Sequence, residues 1–386
     1  MLRILRISAR ECGIMLKNPI YLWCMVLFPL AIVFFFTSIM KSGQPAKMPV
    51  GVVDLDGTTT SRSLIRRLDS FKSTRVLNLY PNVTEARKAM QRNEIYAFLL
   101  IPEDLAVDLK SSRQPKLSFY YSNTTLTSGS LLYRDLKTVS TLGSAGAGSS
   151  ILSAKGLTPK QIQTFLQPIA IDLHAIANPW MDYNMYLSTM LVPGIIMLFI
   201  FLITAYSLGT EMKFGTSKEW LSMADGNIYI ALAGKFLPQF LLYLSIMLGY
   251  EYYVHGVLHF NHLGTNVSIL LNTVMAVVAS QGFGIFAFGL TPSLRMSMSI
   301  CSLWAVLSFT IAGTAFPLSA MDSPIQALSW LFPLRHYYMI YQICVLNGFP
   351  LSYALLHFGS LALFVVLPWF FVGNIRRAML EYEYIP

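Results

Sequence analysis

The chain of 386 residues is 54% hydrophobic and only 12% charged, with a formal net charge of +9. Apolar runs of about 20 residues recur along it, and runs of that length can cross a hydrocarbon core of ~30 Å as helices. This composition excludes an ordinary soluble domain and predicts an α-helical membrane protein with six transmembrane helices. The predicted spans are 21–40, 186–208, 236–257, 268–290, 298–318 and 352–373.

The segment before the first span, residues 1–19, has the charge pattern of an amphipathic helix. Its basic residues fall on one helical face, and a proline at position 19 ends the pattern. These basic residues are Arg3, Arg6, Arg10 and Lys17. A helix of this kind is typical of a cytoplasmic interfacial elbow that lies along the membrane before the first span in 20–40. Charge that merely sets the topology is the alternative.

Basic residues in short loops predict the orientation of the spans. They precede span one, separate spans two and three, and follow span six in the tail 374–386, whereas the loop 256–267 has no Lys or Arg. Both termini are therefore expected to be cytoplasmic. The long segment 41–185 is expected on the opposite side of the membrane, since a long translocated domain is exempt from the charge bias.

Segment 41–185 is predicted to form a small α/β domain followed by helices that return to the membrane. Short β-branched or aromatic runs predict strands, and the amphipathic stretches between them predict helices, with Asn82 as a cap and Pro102 opening a third helix. The predicted strands are 50–53, 76–80, 97–101 and 116–121, and the other predicted helices are 61–70, 83–92, 130–153 and 159–177. The basic excess of this segment is typical of a solvated surface, and contact with anionic lipid or an acidic partner is the alternative.

One motif in this segment has a catalytic alternative. Asp54 and Asp56 follow a predicted strand in the order DLDGT, which resembles the nucleophile and general acid of haloacid dehalogenase-like phosphatases. Asp and Gly after a strand are also common turn residues. Because no Lys and Ser or Thr for the phosphate can be assigned convincingly, an extracytoplasmic phosphatase-like enzyme is kept only as an alternative.

A short polar stretch, 209–235, interrupts the apolar sequence between spans two and three. Its middle can form a short helix with Thr216 as cap, Glu219 at the third helical position and Trp220 as a bulky docking residue. Gly215 directly precedes this helix. A loop that transmits motion needs such a rigid element.

The order of residues in this stretch resembles the cytoplasmic coupling loop of ABC-2 type permeases. The residues that carry the resemblance are Glu211, Gly215, Thr216, Glu219, Trp220 and Leu221. The strand PVGVVDLD at 49–56, the strand ending at Pro102 and the Pro-rich turn 315–338 resemble the exporter branch with a large extracytoplasmic insertion after span one. The similarity extends through most of the chain. It implies a type V exporter-like fold with external re-entrant helices in 315–350.

This resemblance implies the permease subunit of an ATP-driven exporter, which moves an amphiphilic or hydrophobic substrate such as a drug or lipid out of the cytoplasm or inner membrane. It implies two ABC ATPase subunits that bind ATP and Mg, and a second permease half in a homodimer or heterodimer. It also implies surrounding membrane lipid and a periplasmic adaptor that the large domain could contact. The implied location is the inner membrane, with the large domain on the periplasmic side.

The chain has no Gly-x-x-x-x-Gly-Lys-Ser/Thr phosphate-binding motif. We therefore expect that it is not an enzyme and that ATP is hydrolysed by a separate subunit. No cofactor, metal ion or nucleic acid is expected for this chain itself.

Glu251 is the conspicuous ionisable residue inside a predicted span. Tyr250 precedes it and His255 follows one helical turn later, near the outer end of span three. Because a carboxylate at that depth is costly unless it is paired or hydrated, this group predicts a substrate path or a proton-sensing site. A side chain that extends to the membrane interface is the alternative.

Small residues recur at four-residue spacing in span four, at Ala276, Ser280 and Gly284. Such a stripe permits close approach of two helices, so we expect a packing face here.

The sequence also permits a different class of function. A membrane-anchored receptor or envelope scaffold could carry an outer ligand-binding domain without transporting anything. Co-purification with an ATPase separates this alternative from a permease.

Overall fold

The structure, a computed structural model, describes residues 1–111, 113–124, 126–168, 174, 177–314 and 316–382. Within this part the chain is mostly helical and divides into two compact units. One unit comprises residues 1–41 and 175–386 and contains the apolar helices, and the other is Ser42–His174.

Six helices in the described part are long and apolar enough to cross a membrane, as predicted. Spans one to six are Pro19–Ile39, Tyr183–Lys213, Ile228–Val257, Asn266–Leu290, Leu294–Ile311 and Leu351–Glu381. An N-terminal helix, Leu2–Lys17, precedes them. Span one contains a π-helical turn at Trp23–Leu27, and span six a 3-10 turn at Leu367–Phe370. Both irregular turns lie beside a proline, which cannot donate the regular helical hydrogen bond.

The spans differ from the prediction mainly at their ends. Span two continues to Lys213 and span three begins at Ile228, so the predicted loop 209–235 shrinks to the residues between these two helices. This loop contains a short helix, Ser217–Ser222, which we call the loop helix. The predicted tail 374–386 begins inside a helix that ends at Glu381, and residues 383–386 lie outside the described part.

Span five ends earlier than predicted. Its apolar run predicts an end at residue 318, but the helix ends at Ile311. Gly313 has a φ of +98°, which is outside the helical region, and Pro317 follows. The chain then forms short helices rather than a continuous span, and Ala315 lies outside the described residues. These helices are Leu318–Ala320, Ser323–Leu328, Ser329–Leu331, Pro333–Ile340 and Tyr341–Leu346.

Span four packs closely against span two through its small residues. Ala276 is fully buried, and Ser280 donates a hydrogen bond to its carbonyl oxygen at 2.6 Å. A Cβ at Gly284 would lie 2.7 Å from Thr204 Cβ and 3.0 Å from the carbonyl oxygen of Phe201. Any larger residue at Gly284 would therefore push the two helices apart.

The second unit contains a four-stranded sheet. The strands are β1 Met48–Asp54, β2 Thr74–Leu79, β3 Ala97–Ile101 and β4 Ser118–Tyr121. Their order in the sheet is β2-β1-β3-β4. β1 pairs in parallel with β2 and β3, and β4 pairs antiparallel with β3. Its helices are Thr59–Asp69, Val83–Gln91, Leu105–Lys110, Leu126–Ala154 and Pro159–Leu166.

Alternation along β1 explains why helices cover both faces of this sheet. Val52 packs in one cluster with Leu68 and with Leu136 of the long helix. Val53, the next residue, points to the other face and packs in a cluster with Ala86. The near-continuous apolar strand is thus typical of a buried parallel strand.

Local signals predicted the strands and helices of this unit, with errors at their ends. The long helix begins at Leu126 rather than at residue 130, and it packs against the sheet through Leu136 rather than returning to the membrane. Asn82 accepts a hydrogen bond from the amide of Glu85 at 2.9 Å and caps its helix as predicted. The third helix begins at Leu105 rather than at Pro102, because Asp104 adopts a φ of +58° and interrupts the helical path. The predicted helix 159–177 is described only as far as Leu166, and residues 169–173 and 175–176 lie outside the described part.

Candidate coupling site

The N-terminal helix packs along the beginning of span three. Ser8 donates a hydrogen bond to the carbonyl oxygen of Gly234 at 2.8 Å. A Cβ at Gly234 would lie only 2.7 Å from Ile7 Cβ, so glycine is what allows this approach. Arg6 and Lys17 are exposed, whereas Ile7 is fully buried. The helix therefore has one face against protein and one exposed face. Arg10, predicted on one basic face with Arg6 and Lys17, instead lies on the protein-facing side, where it pairs with buried carboxylates.

Four charged side chains meet where this helix contacts spans two and three, and we call them the ionic cluster. They are Arg10, Glu11, Glu211 and Lys235. Arg10 donates two hydrogen bonds to the Glu211 carboxylate, at 2.8 and 3.0 Å, and a third to Glu11 Oε1 at 2.7 Å. Lys235 Nζ donates to Glu11 Oε2 at 2.9 Å and to Glu211 Oε1 at 2.7 Å. The cluster thus joins the N-terminal helix, span two and span three.

The ionic cluster is buried, and its charges balance. Glu11 is 0% exposed, Lys235 1% and Glu211 3%. Burial alone would lower the pKa of Arg10, but its hydrogen bonds to Glu211 and the nearby carboxylate charges raise this pKa above its ordinary value. Two cations and two anions sum to zero, which is the condition under which a buried ionic group is tolerated.

The loop helix is tied directly to the ionic cluster through Glu211. The Thr216 hydroxyl donates to the Glu211 carboxylate, and the Ser217 hydroxyl donates to the Glu211 carbonyl oxygen at 3.0 Å. Thr216 occupies the N-cap position, as predicted, but its side chain bonds to Glu211 rather than to an amide of its own helix. Gly215 directly precedes it with a φ of +67°, which turns the chain from span two into the loop helix.

Trp220 does not project from the loop as the sequence analysis expected. Its side chain is fully buried, and Leu221 is 3% exposed. Trp220 lies in an apolar cluster with Ile7 of the N-terminal helix and Ile375 of span six. Lys235 Nζ lies 5.4 Å from the centre of its ring, within cation–π range. Trp220 therefore anchors the loop helix inward.

Other residues of the loop are exposed, in contrast to the buried Trp220 and Leu221. Phe214 is 66% exposed, and Lys218 and Glu219 are exposed as well. We call these three residues the docking surface. Arg3 forms an exposed ion pair with Asp225 at the far end of the loop, and such a pair contributes little stability.

Sequence reasoning missed Glu11 and did not identify Lys235 as an internal ion-pair partner. Glu11 is the only acidic residue in a helix whose other charges are basic, and this isolated sign change was the available signal. The pairing itself joins residues more than 200 positions apart, which no local pattern reveals.

A second polar cluster surrounds Glu251 in span three. Glu251 is 3% exposed, accepts a hydrogen bond from the Tyr337 hydroxyl at 2.9 Å, and lies 3.4 Å from His255 Nε2. The Tyr341 hydroxyl lies 3.1 Å from the same nitrogen. The Glu251 carboxylate is thus enclosed by neighbouring side chains of span three and of the short helices. Tyr250 instead donates to a backbone oxygen of span two.

A cleft of about 380 Å³ opens beside this second cluster, between spans three and four. Glu251 and His255 line it together with apolar and polar neighbours. Tyr252 on its wall is 74% exposed, and the ring of His262 lies 4.4 Å from that of His255. The arrangement can present a buried carboxylate and an imidazole to a molecule that enters the cleft.

The DLDGT motif of the second unit serves local structure. Asp54 accepts hydrogen bonds from the amides of Asp56 and Gly57, at 3.1 and 3.0 Å, and from the Ser61 hydroxyl at 2.8 Å. Asp56 accepts from the Thr58 hydroxyl and from the amide of Ala106 at 3.3 Å. Among the described residues there is no group of three side chains suited to hold a metal ion. These contacts fit a capped turn.

This geometry is that of a multi-pass helical membrane protein in which the loop between spans two and three is bonded to the helices around it. Residues 19–373 match the family described as ABC-2 family transporter protein, so the chain belongs to that family. This is a family of membrane transport components rather than enzymes. The chain is also 27% identical over 121 residues to the linearmycin resistance permease protein LnrN of Bacillus subtilis (strain 168). That match covers 31% of this chain and 30% of the relative, so it spans less than a third of either protein.

Replacing Lys235 tests the ionic cluster. Lys235→Met leaves two buried carboxylates with one guanidinium and is expected to lower the free energy of unfolding by ~3–5 kcal/mol. Adding Glu11→Gln restores the charge balance between Arg10 and Glu211, so the double variant should be more stable than the sum of the single effects predicts. The measurement is denaturant unfolding in mixed micelles. Lys17→Met, at an exposed position, is the control, and strictly additive single effects would contradict the cluster.

Proposed function

We propose that this chain is the permease subunit of an ATP-driven exporter that moves an amphiphilic or hydrophobic substrate, a drug or a lipid, out of the cytoplasm or the inner membrane. The observation that carries the proposal is the ionic cluster, which connects the loop helix to the N-terminal helix and to spans two and three. The family supports a transporter with a separate ATPase. The name of the Bacillus relative includes resistance to linearmycin, and this supports a drug-like substrate for the present chain.

The ionic cluster gives the loop helix a mechanical role. A displacement of the loop helix alone would pull Glu211 away from Thr216 and Ser217 or separate buried charges, and both are costly. Movement imposed at the loop is therefore passed to spans two and three as a unit. The exposed aromatic and charged side chains of the docking surface suit a protein interface at which an ATPase could impose that movement.

The partners of the proposed transporter follow from the same family. Two ATPase subunits would bind ATP and Mg, and a second permease half would complete the membrane part as a homodimer or heterodimer. Lys and Arg in the short loops support cytoplasmic termini. With the permease in an inner membrane, the Ser42–His174 unit would then lie on the periplasmic side. There this α/β unit would act as a lid or as a platform for a periplasmic adaptor.

The docking surface supplies the direct test of coupling. Phe214→Ala combined with Glu219→Lys should weaken binding of the ATPase by about tenfold or more, as loss of a central interface anchor does. The measurement is co-purification of the ATPase together with substrate-stimulated ATP hydrolysis. Phe349→Ala, at a similarly exposed phenylalanine between spans five and six, is the matched control.

One outcome of that experiment would contradict the proposal, and a substitution at Trp220 is expected to have a different effect. ATPase binding that is unchanged in the double variant would contradict the assigned docking surface. Trp220→Ala is expected to act differently, because the loss of a fully buried indole should destabilise the permease by ~3–5 kcal/mol. Its effect should therefore appear as lost folded protein before any selective loss of ATPase binding.

We also propose that Glu251 and His255, with Tyr250 behind them, line the substrate path. Glu251→Gln keeps the size of the side chain and can still accept the hydrogen bond from Tyr337, but it removes the negative charge. Transport in reconstituted vesicles should fall, because the negative charge that the path presents to the substrate is lost. Asp322→Asn, at an exposed carboxylate, is the control. A transport rate in the Glu251→Gln variant equal to that of the wild type would remove Glu251 from the path.

A further inference from the structure

Arg335 is a buried cation without an anion. It lies in the short helix Pro333–Ile340 between spans five and six and is 7% exposed. Its Nε atom is enclosed and has no hydrogen-bond partner, and no described carboxylate forms an ion pair with it. The buried cations of the ionic cluster, by contrast, are fully paired.

The groups around Arg335 do not neutralise it. Its guanidinium carbon lies 5.8 Å from the centre of the Trp330 ring, which attracts a cation but accepts no regular hydrogen bond. His336 Nε2 lies 2.8 Å from the Trp330 carbonyl oxygen, so this nitrogen must donate. His336 Nδ1, 3.1 Å from His357 Nδ1, then accepts from that ring. The two histidines satisfy each other and supply no anion.

Burying an unpaired charge costs free energy, and arginine does not avoid this cost by losing its proton. Burial lowers the pKa of Arg335, yet arginine remains charged at any physiological pH. A buried charge persists only when something pairs with it. The guanidinium fork is shaped for two oxygens of one anion, and phosphate offers that geometry.

The short helices that precede Arg335 in the chain expose apolar side chains that would suit a lipid. Ile325, Leu328 and Leu331 are 41%, 43% and 50% exposed, and Trp330 is 37% exposed. Aliphatic side chains beside a tryptophan and a cation are typical of a membrane interface, where acyl chains meet headgroups. The segment connects two spans, so it lies where such an interface would be.

We infer that Arg335 and Trp330 form a binding site for the phosphate of an anionic lipid headgroup, with the lipid chains against the short helix Ser323–Leu328. The ligand chemistry is a phosphate with a net negative charge. The inference does not depend on the transported substrate or on the ATPase, and it would stand if the proposed export failed.

Lipid binding to the full-length protein tests this site. The protein is purified in detergent, and its retention of phosphatidylglycerol and phosphatidylcholine is compared by native mass spectrometry and by thermal stabilisation. Wild type should prefer phosphatidylglycerol, and Arg335→Gln should reduce that preference by about tenfold, as expected when a charge-assisted hydrogen-bonded pair is lost. Arg376→Gln, at an exposed arginine, should keep the preference.

Further measurements distinguish a lipid headgroup from other anions that could pair with Arg335. Without lipid, Arg335→Gln should melt no lower than wild type, because it removes an unpaired charge; Arg335→Lys, which keeps the charge but not the fork, should lose part of the preference. Stabilisation by inorganic phosphate but not by phosphatidylglycerol would overturn the lipid and assign the site to free phosphate. An unchanged preference in Arg335→Gln would overturn the site. If Arg335→Gln lost the dimer but still retained phosphatidylglycerol, Arg335 would instead pair with a carboxylate of a second copy of the chain.

Discussion

The contact on which the coupling end of the membrane unit depends is the bidentate hydrogen bond between Arg10 and Glu211, completed by Lys235 and Glu11. An apolar bundle offers little to fix the register of its helices, because apolar surfaces can slide against one another. Buried charges change this, since any displacement that breaks a pair leaves a charge without a partner. The N-terminal helix, span two, span three and the loop helix therefore have one favoured arrangement.

The same bundle uses polar groups differently where it can form a path. Around Glu251 the partners are hydroxyl and imidazole groups, which can change hydrogen-bond partners without leaving a full counter-charge exposed. A cleft adjoins that cluster, whereas the side chains of Glu11 and Lys235 are enclosed. A neutralised ionic cluster at the loop and a set of hydroxyl and imidazole partners beside a cleft are the two features on which the proposed permease function rests.

The sequence predicted what local periodicity encodes. Six apolar runs gave six helices, and the strand Ala97–Ile101 was predicted with its observed bounds. Local periodicity does not predict which way a side chain points in a short element. The loop helix has six residues, which are too few for a periodic pattern, so nothing local indicated that Trp220 points inward. The end of span five depended on the backbone conformation of Gly313, which hydropathy does not register. Pairing of distant charges, as in Arg10 with Glu211, depends on the tertiary fold.

The most direct test of the account is the distance between the loop helix and the N-terminal helix during the transport cycle. Spin labels at Ser222→Cys and Leu5→Cys, in a variant without the native cysteines, allow this distance to be measured by double electron–electron resonance in the transporter reconstituted with its ATPase. The account predicts one narrow distance that is the same with and without ATP, and a broader one when Lys235→Met is added. A narrow distance that shifts with nucleotide, or one that Lys235→Met leaves unchanged, would contradict the claim that the ionic cluster holds these helices as one body.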